Sequence, residues 1–275
     1  MGKSLPLPPS MAAAIQAIQW PLDPSSSLHL SLEPLERLSE IRSKARKNAP
    51  LPIDSILSDI PAAITSLTNG GDRNSGVLDP KDRRHHCIIS VALVLLGNGF
   101  ADEAHSLVTP LSWPTKLPHG YGEPVTASPS AEALASYTHS LVHRREAFHV
   151  GEYGQEGFKN SDFWVSNAFR SVWADSLPLE RITKAILETA RGNPAAEAWC
   201  RENSVTDETA ALGDWDPRAL NELCRRVMKE DEDAAQLKEF AERAAEVELR
   251  VLLSHTLKSA GYELPQRLIR SAESV

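Results

Sequence analysis

The sequence predicts an all-α protein of antiparallel helical hairpins, a repeat-like helical array with no significant sheet. Apolar residues recur at three- and four-residue spacing through most of the chain. Helix boundaries are punctuated by Asp79-Pro80, by Asn69-Gly70-Gly71 and by Gly97-Asn98-Gly99. No segment alternates apolar and polar residues over the length of a strand. The 275 residues approach the upper size for one core, and an apolar fraction of 41% is enough to fill it.

Residues 1–31, rich in Pro, Ser and Ala, read as a loosely ordered arm that docks through Ile15, Ile18 and Trp20. Residues 32–275 read as a single all-α domain interrupted by a long loop at 110–130. The first helix is expected over 33–47, with Leu35, Leu38 and Ile41 on one face, and the second over 53–67. Asp79-Pro80 places an N-cap and a first-turn proline ahead of a third helix ending near Leu96. That helix is apolar almost all round and should be the most buried. A short helix over 101–109 folds back on it, with a cadence similar to tetratricopeptide-type hairpins. Pro110, Pro114, Pro118, Pro124 and Pro129 mark the loop, and Trp113, His119 and Tyr121 within it favour packing.

The central helix is expected over 131–150. A glycine-spaced loop follows at 151–159, and then a helix capped by Asn160 or Ser161. Further helices are expected over 179–190, 195–201, from Trp215-Asp216-Pro217 to Met228, and over 231–260, where Gly261 closes the last.

Composition excludes several function classes. A net charge of -8 argues against a nucleic-acid binder, which needs a basic face. The longest apolar run, Cys87 to Leu96, is too short for a bilayer, so no membrane partner is expected. Cys87, Cys200 and Cys224 form neither a disulfide framework nor a thiolate metal motif, which fits a reducing compartment. The first residues lack a basic stretch followed by an apolar run, and Pro6 stands where a myristoylation motif wants Ser or Thr. A cytoplasmic location is expected.

Chemistry concentrates on the central helix. At about 100° per residue, Leu134, Tyr137, Leu141 and Phe148 share one stripe, while His139, His143 and Glu146 gather opposite. In His-x-x-x-His-x-x-Glu, the side chains are neighbours at i,i+4 and i,i+3. Two imidazoles and a carboxylate so placed suit a divalent metal with open positions, His255 on the last helix adding a ligand. The same residues suit acid–base catalysis, with His143, Glu146 and Arg144 as the catalytic group. Asn160, Trp164, Tyr153 and Glu248 are the candidate ligand-binding residues. The alternative is structural: helical histidines often satisfy a hydrogen bond, and Arg145 on the apolar stripe suggests a buried ion pair. The loop at 151–157 follows a helix and carries Glu152 and Glu156, which suit a connector better than a phosphate cradle.

His143-Arg144-x-Glu146 followed by Asn160-x-x-x-Trp164 resembles the signature of a family of uncharacterised bacterial and fungal helical proteins. That signature reads His-Arg-x-Glu-Gly and then Asn-Ala-x-Tyr-Trp on the next helix. Here Ala147 replaces the glycine, Ser161 replaces the alanine, and the interval to Asn160 is longer. Trp215-Asp216-Pro217 and Glu246-Val247-Glu248 are also similar to that family's C-terminal half. The resemblance covers about half the chain, imports no activity, and groups His143, Arg144, Glu146, Asn160 and Trp164 into one unit. Two functions follow as expectations. One is small-molecule or metal binding, enzymatic through His143 and Glu146. The other is a tetratricopeptide-like scaffold for a peptide or protein partner, with the polar cluster fixing helix register.

Overall fold

The computed structural model describes residues 80–98, 101–113, 125–147, 156–170, 176–208, 215–228 and 236–262, together with Ile15. The helices expected at 33–47 and 53–67, the rest of the N-terminal arm, Tyr153 and most of the 110–130 loop lie outside these residues. Among the described residues there are eight helices and no strand. They are α1 (Pro80–Gly97), α2 (Ala101–Ser112), α3 (Pro129–Glu146), α4 (Glu156–Arg170), α5 (Leu179–Ala190), α6 (Pro194–Glu202), α7 (Arg218–Met228) and α8 (Lys238–Ser259).

Helices α1 to α4 pack each on the next, most extensively α3 on α4, and α5 pairs with α6. Helix α8 returns onto α1 and α5, and α7 bridges α8 and α4. α3, packed on α1, α2 and α4, is buried on all sides from Ala133 to Glu146. Apolar side chains of α1, α3 and α8 (Leu93, Leu95, Leu134, Leu141, Leu249, Leu252) form the centre of the core. Ile15 is the described point of the N-terminal arm. It is buried in this core, and its carbonyl accepts a hydrogen bond from Arg250 Nη1 at 3.2 Å.

Four boundaries differ from expectation. α2 runs through Pro110 to Ser112 rather than stopping at 109, with the proline inside the helix, where it forgoes the hydrogen bond to the carbonyl four residues back. Thr109 Oγ1 donates to the His105 carbonyl there at 2.6 Å. α3 begins at Pro129, not Ala131: Ser128 is the N-cap, accepting from the Ala131 N–H at 3.3 Å. α4 begins at Glu156, so neither Asn160 nor Ser161 caps it. Gly157 sits in its first turn against the end of α3. A Cβ there would stand 2.8 Å from the Ala147 backbone, so the absent side chain lets the two helices meet. The last helix starts at Lys238, after 229–235 outside the described residues.

Candidate metal centre

α3 carries polar groups on two of its sides, and they have different fates. The first set surrounds Arg144, which is fully buried with Glu248 of α8. Arg144 Nη1 donates to Glu248 Oε2 and Nη2 to Oε1, while Tyr137 donates to Oε1 at 2.7 Å. Arg144 Nε donates to Asn221 Oδ1 on α7, and Asn221 Nδ2 donates to Asp162 Oδ1 on α4 at 2.7 Å. Five residues from four helices therefore form one continuous chain of hydrogen bonds. Burial works against the Arg144 charge, but the Glu248 carboxylate outweighs it and raises the guanidinium pKa. Burial and Glu248 together hold the Tyr137 hydroxyl well above its ordinary value. Burial also raises the Asp162 carboxyl, against the opposing hydrogen bond from Asn221.

The second set is a stack of rings. His139 and His143, one turn apart on α3, lie nearly parallel with ring centres 4.8 Å apart. His105 of α2 stands edge-on to both, at 4.6 Å from His139 and 5.1 Å from His143. One ring nitrogen from each of the three comes within 4.8 Å of the others, and all three residues are buried. Trp164 of α4 covers the other face of His139 at 3.9 Å. Trp113 and Phe163, both partly exposed, flank that indole.

The hydrogen bonds of the imidazoles orient them. His139 Nδ1 meets Ser112 Oγ at 2.8 Å, and His143 Nδ1 meets Glu146 Oε2 at 2.7 Å. With both Nδ1 atoms held, the other ring nitrogen of each is Nε2. A carboxylate or hydroxyl behind the distal nitrogen is how metal-binding histidines are commonly fixed in tautomer and direction. Tetrahedral coordination at zinc–nitrogen distances near 2.0 Å sets ligand nitrogens about 3.3 Å apart, so the rings would close by about 1.5 Å around an ion.

The expected residues divide accordingly. His139, His143 and Trp164 come together. Glu146 joins them behind His143, as a partner of its Nδ1. Arg144 leaves the group: it points to the opposite side of α3, and its amide partner is Asn221, while Asn160 is exposed on α4. Glu248 belongs to the Arg144 chain. His255 stands apart with His86 of α1, where burial, reinforced by Arg181 and Lys258, lowers its pKa to about 4. His86 is likewise lowered to about 4, by burial and then by His255. Arg145 lies in the core as expected of an arginine on an apolar stripe, and burial pushes it down to about 10 against Glu242.

The residue that sequence reasoning missed is His105. Its signal was present: it falls among Ala101, Ala104, Val108 and Leu111, the buried stripe of α2, where a histidine faces the neighbouring helix. Comparison with known proteins finds no matching family model, no matching curated protein and no matching solved structure.

Proposed function

We propose that the chain binds one divalent transition-metal ion through His105, His139 and His143. One observation carries this reading: the Nδ1 atoms of His139 and His143 are each held by a hydrogen-bonding partner, Ser112 and Glu146. Three imidazoles without a thiolate suit zinc, copper or nickel, with cobalt as a spectroscopic stand-in. Three protein ligands leave a fourth position for water or a small-molecule substrate. A metal held there would supply Lewis-acid chemistry. Glu146 acts in this reading as the residue that orients His143, and Trp164 as one wall of the site. Asn160, Glu248 and Arg144 do not take part.

The buried free thiols of Cys87, Cys200 and Cys224, pushed up to about 12 by burial, support a reducing, cytoplasmic location. The resemblance to the uncharacterised bacterial and fungal helical family remains part of the proposal. It is carried by His143, Arg144, Glu146, Asn160 and Trp164.

The test is metal content and affinity. Purified full-length protein, stripped with chelator and titrated with Zn(II), Co(II), Ni(II) and Cu(II), should take up one equivalent of at least one ion. His105→Ala and His143→Ala should each abolish stoichiometric uptake, while His255→Ala leaves it unchanged. Failure of the wild-type protein to take up any of the four ions overturns the reading.

A further inference from the structure

The indole of Trp164 touches three aromatic neighbours in three different ways. It meets Phe163 edge-on, 82° between planes at 5.3 Å, and Trp113 tilted by 51° at 5.7 Å. Both are ordinary geometries for neutral rings, which prefer edge-to-face or offset contact with centres 4.5–7 Å apart. Against His139 it lies almost parallel, 16° between planes, with centres only 3.9 Å apart. Two electron-rich rings gain little from so close a face-to-face approach. The arrangement becomes favourable when one ring is electron-poor, because the negative face of an indole attracts positive charge.

A dication on Nε2 supplies that condition. It draws charge out of the imidazoles it binds, and the stacked rings of His139 and His143, 4.8 Å apart, then both carry partial positive charge. The indole on the other face of His139 offsets that repulsion. The contact is desolvated, since Trp164 and His139 are both almost wholly buried. Cation–π attraction is strongest in such places.

We propose that Trp164 sets the metal affinity of the three-histidine centre, its indole face stabilising the His139 imidazole in the metal-bound state. The inference rests on the proposed function above and adds to it a residue that never touches the ion. It also gives a role to α4, which carries no ligand.

The experiment uses full-length protein and Co(II), followed by its visible absorption, with Zn(II) in competition. Trp164→Leu should weaken binding roughly thirty-fold, the equivalent of about 2 kcal/mol. Trp164→Phe should fall between the two, and Trp113→Leu should stay within about two-fold of wild type. Biosynthetic replacement of tryptophan by its mono- and difluoro analogues withdraws charge from the indole face with little change in size. Affinity should fall stepwise with fluorination, and the dependence should vanish in a Trp164→Phe background. A packing role would not respond to fluorination, and this arm needs no destabilising substitution. No metal uptake by the wild type overturns the centre and this inference together. Uptake that is indifferent to fluorination overturns the inference, whatever Trp164→Leu does, and leaves the centre standing.

Discussion

The two polar sides of α3 are built from similar materials to opposite ends. Around Arg144, charges of both signs meet in one closed account: guanidinium against carboxylate, hydroxyl against carboxylate, amide bridging to Asp162. Around His139, three nitrogen bases of one kind converge, and the Trp164 indole covers one of them. The first arrangement is complete within the protein. The second is, in the function proposed above, a ligand set. The lesson is that burial of a polar cluster does not distinguish structure from site; the balance of acids and bases within it does.

The largest effect separates the two sides most sharply. Glu248→Ala leaves the Arg144 charge buried and should cost about 3–5 kcal/mol of stability in urea or thermal melts. His143→Ala, which removes a proposed ligand from the other side, should cost clearly less and leave a cooperative transition. Equal losses for the two would erase the distinction.

Acid offers a second separation, at a third place. His86 and His255 titrate near 6.5 when unfolded and near 4 when folded, so the unfolded chain binds more protons between those values. Stability should be full above about pH 6.5, decline as the pH falls towards 4, and level off below. The combined loss from these two groups is on the order of a few kcal/mol. A melt series across that range should show the decline flattened in the double variant His86→Phe, His255→Phe. A slope that persists unchanged would show that other groups govern it.

Gly157→Ala should destabilise by about 1–3 kcal/mol, because the new methyl meets the Ala147 backbone. Since α4 carries Trp164, metal affinity should fall alongside, which a calorimetric titration reads directly. The smallest effect belongs to Glu146→Gln. It keeps a hydrogen-bond acceptor at His143 Nδ1 but removes the charge, and should weaken metal binding about tenfold with little change in melting temperature.

Helix content was legible from the sequence because it is local. α5 begins and ends where Leu179, Ile182 and Ile186 place it, one amphipathic stripe with nothing to contradict it. The start of α3 was hidden because Ser128-Pro129, an N-cap and first-turn pair, lies in a run of prolines that reads as loop. Two of the three histidines of the candidate centre were legible for the same reason: His139 and His143 are one turn apart on one helix. His105 comes from a different helix, and its histidine reads like any other on a buried stripe. Nor does the sequence mark Asn221 as the partner of Arg144, since 77 residues separate them. The expected Asn160 was nearer in sequence, yet it faces solvent. Helical periodicity assigns a residue to a face but does not say which neighbour covers that face.

The Arg144–Glu248 pair has a consequence for the order of synthesis. The two residues are 104 positions apart, and the acid is made long after the base. A ribosome-bound chain that ends before α8 holds a guanidinium it can bury only at a heavy desolvation cost, so α3 has no favourable way to seat in its core. The nascent protein should therefore wait, its central helix unsettled, until the helix that carries Glu248 has emerged. Chains truncated before residue 248 should be substrates for quality control rather than smaller folded proteins.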